Sequence, residues 1–96
     1  MAIMVQVEAV AKPGCTEQLV QMFELGFPDT RAADGCNSLT AYLGEDGQTF
    51  VVVESWESKA HYEAYLAWRT ETGVMAALNA LFQAPPNIRY FTAVDA

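Results

Sequence analysis

Residues 49–56, TFVVVESW, are the most strand-like stretch of the chain, and they are apolar on both faces. Side chains alternate along a strand, so Val51 and Val53 share one face while Phe50, Val52, Glu54 and Trp56 share the other. A strand of that kind belongs inside a sheet with both of its sides covered. This requirement limits what the rest of the chain can build: neighbouring strands, helices for one face, and a further layer for the other.

The flanking sequence meets the first two demands. EDGQ (45–48) is a hairpin signal, so 36–44 reads as the strand before it. Ser58 caps a helix that runs to about Glu71. Upstream, IMVQVEAVA (3–11) sets Ile3, Val5, Val7 and Ala9 against Met4, Gln6, Glu8 and Val10, a strand with one dry face. Pro13 and Gly14 end it, and Thr16 offers an N-cap to a helix with Leu19, Phe23, Gly26, Phe27 and Thr30 on one side. Pro28 lacks an amide donor, which predicts a kink or restart there. Asp34-Gly35 closes that helix. Gly73 interrupts the later one, VMAALNALF adds a short amphipathic piece with Val74, Ala77, Leu78 and Leu81 inward, and 88–94 forms the last strand.

The order βαββαβ predicts an α+β, ferredoxin-like antiparallel sheet with its helices on one face and an extra short helix before the last strand. Ninety-six residues is the length of one domain. Yet 52% of them are hydrophobic, high for a small chain. The surplus lies on the helix-free side of the sheet, which is expected to pack on a second copy as a dimeric α/β barrel. Tyr42 and Tyr90, on neighbouring strands, are expected in the sheet or at that interface.

Charge excludes several partners. The net charge is −7, which disfavours nucleic acid and anionic membrane surfaces, both of which require Lys and Arg. No apolar run approaches the ~20 residues of a membrane span. The opening MAIMVQVEAVA has no basic segment, so it does not read as a signal peptide, and a cytoplasmic location is expected. Cys15 and Cys36 fit no metal spacing and are expected as free thiols. No nucleotide-binding glycine motif or metal-ligand cluster is present, so no cofactor and no metal are expected.

The second helix is unusual. At 100° per residue, His61, Tyr62, Tyr65, Leu66, Trp68 and Arg69 fall on the face turned to the sheet, with Ala60, Glu63, Ala64 and Ala67 opposite. A plain packing helix offers Leu, Ile, Val and Ala there. Each buried hydroxyl, indole, imidazole or guanidinium needs a partner, at about 1–3 kcal/mol if it finds none. Together with Trp56 and Glu54 this face has the composition of a small-molecule pocket, apolar walls with a few converging polar groups. His61, the only histidine, is of the residue type most often used as a general base. Tyr62 and Tyr65 can hydrogen-bond a ligand oxygen or a leaving oxyanion, and Arg69 can bind an acidic substituent or pair with Glu54.

PGC (13–15), TRAADGC (30–36) and VVVESWESKAHYEAYLAWR (51–69) together resemble the antibiotic biosynthesis monooxygenase domain, which includes quinol monooxygenase-like proteins. The resemblance extends from the first strand to IRYF (88–91). It implies a homodimer with one pocket per subunit between sheet and helices, and oxygenation of phenolic, quinol or polyketide-type aromatics such as anthrones without metal or flavin. An electron-rich phenolate or carbanion can itself pass an electron to dioxygen, so the protein need only deprotonate, orient and shield it. Trp56 matches the family tryptophan at the end of the third strand. Asn37 lies where polar pocket residues occur, and Tyr65 stands where relatives often keep a histidine, one turn after His61. Haem-degrading relatives use an Asn on the first strand and a helical His. Residues 3–11 contain no Asn and no His follows Tyr65, so haem degradation is not expected.

The expected site is therefore His61, Tyr65 and Trp56 as catalytic residues, with Tyr62, Trp68, Arg69, Asn37 and Glu54 around a small aromatic substrate. Two other functions share this architecture. One is a non-oxidative isomerase or cyclase using His61 for proton transfer; the other is a dimer that binds a hydrophobic metabolite without turning it over.

Overall fold

The computed structural model describes residues 2–96. Its elements are β1 (Ile3–Val10), α1 (Thr16–Arg31), β2 (Cys36–Leu43), β3 (Thr49–Trp56), α2 (Lys59–Glu71), α3 (Val74–Asn79) and β4 (Asn87–Thr92). The strands form one sheet in the order β2-β3-β1-β4, with every pairing antiparallel. This is the ferredoxin-like βαββαβ arrangement with α3 inserted ahead of β4. β3 lies inside the sheet, as its two apolar faces require.

Register follows the period of two. Val5 sits between Glu54 on β3 and Tyr90 on β4, and Val7 between Val52 and Ile88. Phe50, Val52, Glu54 and Trp56 are all buried on the helix side, alternating with half-buried Thr49, Val51, Val53 and Ser55. Leu19 and Phe23 of α1 reach that side from one end; Tyr62, Tyr65 and Leu66 of α2 reach it from the other. The opposite side carries Met4, Tyr42 and Phe91, which are exposed.

Local chemistry accounts for the joints. In the β2–β3 hairpin, Asp46 accepts from the Gln48 and Thr49 amides at 2.9 Å each and from the Thr49 hydroxyl at 2.6 Å. Ser58 caps α2 by accepting the His61 amide at 3.2 Å. Thr16 does not cap α1: Cys15 takes the N-cap position without a side-chain bond, and the Thr16 hydroxyl donates to the Gly47 carbonyl at 2.7 Å. That bond ties the start of α1 to the hairpin. α1 also runs through Pro28 to Arg31 without restarting.

Gly35, at φ +86°, abuts α2, where an added Cβ would lie 2.5 Å from His61 Cγ. Both the backbone and the space therefore demand glycine. β1 is extended by a bridge between Ala11 and Phe82, and β4 ends at Thr92 rather than continuing to residue 94. On α3, Val74, Met75 and Leu78 are half-buried while Ala77 is exposed. Cys15 and Cys36 are free. Among the described residues no helix is long and apolar enough to cross a membrane.

Candidate functional site

The core is divided. One cluster joins Ala9, Ala11, Leu19, Phe50 and Phe82; the other joins Val5, Trp56 and Tyr62. Between them lies a cavity of about 80 Å³, measured as space for the centres of water molecules, with walls from both clusters. Its end toward the first cluster is apolar: Phe23, Phe27, Phe50, Leu78 and Phe82. There Phe23 stacks on Phe27 at 4.9 Å and meets Phe50 edge-on at 5.3 Å. Its other end holds the four polar lining residues, Thr30, Glu54, Tyr62 and Tyr65.

Glu54 is 6% exposed, and Trp56, fully buried, donates its indole N–H to Glu54 Oε1 at 3.0 Å. The two side chains meet because residues two apart on a strand share a face. Burial drives the carboxyl pKa up from 4.5 to about 7, while the indole hydrogen bond holds it down. The other carboxyl oxygen has no hydrogen-bond partner among the described residues, yet it is not sealed off; it opens on the cavity. The result, in an apolar chamber, is a carboxyl group whose pKa is raised to about 7. Trp56→Phe keeps an aromatic wall but deletes the hydrogen bond that lowers this pKa. The pH profile of any activity that uses Glu54 should therefore shift to the alkaline side, as a pH series of initial rates would show.

Tyr65 is occupied differently. Arg69 Nε donates to the Tyr65 hydroxyl at 3.0 Å, and Arg69 Nη2 donates to the Gly26 carbonyl at 2.7 Å and to Thr30 Oγ1 at 3.1 Å. Tyr65 and Thr30 are 2.6 Å apart, and Thr30 reaches the Gly26 carbonyl at 3.3 Å. A guanidinium only donates. The arrangement that uses every hydroxyl hydrogen runs from Arg69 to Tyr65, from Tyr65 to Thr30, and from Thr30 to Gly26. On that assignment the Tyr65 proton is committed to α1, and the residue serves the cavity as a wall. Tyr62 is the opposite case. It is buried, lines the cavity, and its hydroxyl has no partner among the described residues. Burial first, then the Glu54 charge, pushes its pKa up, so it stays a protonated donor.

Several expectations need correction. Arg69, 5% exposed, does not pair with Glu54. Among the described residues Arg89 pairs with Glu8 at 3.5 Å, and His61 Nε2 lies 3.8 Å from Asp34, an ion pair only when the imidazole is protonated. Arg69 instead staples α2 to α1 and lies against the Trp68 and Tyr65 rings, at 4.6 and 5.4 Å. His61 and Trp68 do not face the cavity. The buried direction of α2 is set by Tyr62 and Arg69, and His61 and Trp68 lie roughly 80–120° around the helix from it. They line an open groove with Asp34 at the end of α1; there His61 Nδ1 is 2.7 Å from Ser58 Oγ. Trp68 is 43% exposed. Asn37 is exposed as well. In simple alternation it would point inward with Leu39, but a register shift between Cys36 and Ser38 gives the inward position to Cys36. Thr30 is the polar wall that sequence reasoning placed on the packing face of α1 without a functional role. Its spacing from Gly26 was the available signal.

Comparison with known proteins places this geometry. No protein of curated function matches the chain in sequence. Among solved structures, a conserved protein from Methanosarcina mazei is 14% identical with a TM-score of 0.88, covering 98% of this chain and 94% of its own. An antibiotic biosynthesis monooxygenase is 18% identical with a TM-score of 0.85, covering 96% and 98%. A protein of unknown function from Nitrosomonas europaea is 26% identical with a TM-score of 0.82, covering 99% and 91%. The family described as antibiotic biosynthesis monooxygenase matches residues 2–84, a span that takes in every residue of the polar end of the cavity. With that pattern carried over nearly its whole length on this sheet and these helices, the chain belongs to the antibiotic biosynthesis monooxygenase family.

Proposed function

We propose that the chain is a cytoplasmic, homodimeric monooxygenase that oxygenates a small phenolic, quinol or polyketide-type aromatic without a cofactor, in the cavity between the two core clusters. The observation that carries this reading is Glu54, a buried carboxyl with a pKa of about 7 opening on an apolar cavity that also holds the Tyr62 hydroxyl. Such a group accepts a proton at neutral pH, and a pKa near the working pH is what efficient proton transfer requires. Tyr62 donates to the substrate oxygen on which negative charge develops.

For a substrate with an activated CH2, the sequence balances as follows. Glu54 takes one proton, and the carbanion passes one electron to dioxygen. The two radicals combine to a carbon-bound peroxide. Glu54 returns its proton to the terminal oxygen of the peroxide. Its carboxylate then takes the second C–H proton as the O–O bond breaks, leaving a carbonyl and a hydroxide that receives that proton from Glu54 as water. One oxygen atom enters the product and the other leaves as water. No three His, Cys, Asp or Glu converge among the described residues, and the proposal assigns no metal. Oxygen uptake by purified protein with a panel of quinols, phenols and activated ketones tests the reading. Rates equal to buffer across that panel would refute it.

The placement of His61 outside the cavity argues for Glu54 as the base. His61→Ala should keep turnover within about threefold of wild type, against the loss of roughly 10²–10⁴ expected when a general base is removed. The homodimer rests on the exposed Met4, Tyr42 and Phe91 of the helix-free sheet face. Light scattering at micromolar concentration should give twice the chain mass, and a monomer mass would end that part of the proposal.

A further inference from the structure

We infer that the cavity selects a compact aromatic, one ring or two fused rings, whose oxygen substituents lie along a single edge. The inference rests on the cavity being the substrate site, and it follows from the cavity's size and its polarity.

Size sets the first limit. If the 80 Å³ open to water centres is gathered into a sphere, adding a water radius of about 1.4 Å gives an envelope about 8 Å across and on the order of 280 Å³. That lies at the bottom of the roughly 300–1,000 Å³ usual for ligand pockets. A substituted single ring fills the envelope, two fused rings reach its limit, and three linear rings exceed it.

Polarity sets the second. The polar side chains of the lining collect at one end, and among the described residues two of them are uncommitted: the free Glu54 oxygen and the Tyr62 hydroxyl. The acceptor and the donor together suit a hydroxyl that gives its proton to Glu54 while accepting from Tyr62. The Tyr65 and Thr30 hydroxyls are tied to Arg69 and Gly26. The opposite end is phenylalanine and leucine, so an oxygen placed there is buried without a partner. An unpartnered buried hydroxyl costs roughly a factor of 5 to 150 in affinity.

Three ligands separate these limits: 1,8-dihydroxynaphthalene, 1,5-dihydroxynaphthalene and 1,8-dihydroxyanthrone, titrated calorimetrically without oxygen so that binding is read apart from turnover. The 1,8-naphthalene should bind at least tenfold more tightly than its 1,5 isomer, and at least tenfold more tightly than the anthrone. Leu78→Asn, which supplies an amide at the apolar end on a half-buried helix position, should narrow the gap between the two isomers. Equal affinity of the isomers, equal affinity of the anthrone, or no binding by any of the three overturns the inference. If the binding order holds while no ligand supports oxygen uptake, the monooxygenase reading falls and the inference on ligand shape stands.

Discussion

Glu54→Gln should lower oxygen uptake at saturating substrate by roughly 10²–10⁴, the usual contribution of a positioned general base, and should also weaken binding of a ligand hydroxyl, which loses its acceptor. Glutamine preserves the volume and can still accept the Trp56 indole through its carbonyl oxygen, so the site keeps its shape, and the rate at saturation separates proton transfer from the change in binding. The same substitution has a stability signature of opposite sign. In the folded chain the carboxyl releases its proton near pH 7, whereas the unfolded reference is 4.5. Below pH 4.5 the group is protonated in both states, and its burial carries no ionisation penalty. As pH rises from there through 7, the unfolded chain ionises first and gains relative stability, worth about 3 kcal/mol in all. Wild type should therefore weaken between pH 4.5 and 7, and Glu54→Gln should abolish that part of the pH dependence. Urea unfolding at pH 5 and pH 8 measures both slopes. A wild-type stability that rises across this interval as much as the mutant's would show that Glu54 is not held protonated.

Arg69→Ala should cost about 3 kcal/mol or more, since hydrogen bonds to a charged group contribute about 1.5–3 kcal/mol each and their deletion strands the partners. Its three acceptors are Tyr65, Thr30 and the Gly26 carbonyl; the contact with Thr30 is buried and the other two are part-buried. Arg69→Lys should recover little, because one ammonium cannot reproduce the planar fork. Thr30→Ala combined with Arg69→Ala should cost clearly less than the two separate losses added, as expected for members of one network. Equilibrium unfolding of the four proteins closes the cycle, and strict additivity would dissolve the network. Loss of the staple also frees the Tyr65 ring, so the remaining activity should show a raised KM.

What sequence could and could not disclose divides along a physical line. Alternation in IMVQVEAVA and TFVVVESW was enough to place the strands and their buried faces, because period two leaves little choice once one face is dry. The direction of α2 was less determined. An arc from Trp68 to Leu66 covers nearly half a turn, and only the neighbours decide which part of it is buried; Tyr62 and Arg69, toward its Leu66 side, are buried, and His61 and Trp68, at its other edge, are not. Asn37 shows a different limit: one extra residue in β2 reverses alternation, and no turn residue announces it. Glu54 was legible as a pocket residue, but its raised pKa was not. Its pKa comes from packing by distant segments and from the Trp56 indole, properties of the folded assembly rather than of the strand.

The division of the core by a cavity also ties ligand binding to folding. The walls that should close on each other are held apart, so a bound aromatic acts as a missing core side chain and stabilises only the native state. At a hundredfold excess over Kd that linkage contributes about 2.7 kcal/mol, which for a domain of this size means roughly 10 °C or more in melting temperature. Thermal melting of the unliganded protein against a library of small aromatics can thus rank candidate ligands without any assay of turnover, because an aromatic seated in the cavity would complete the hydrophobic core.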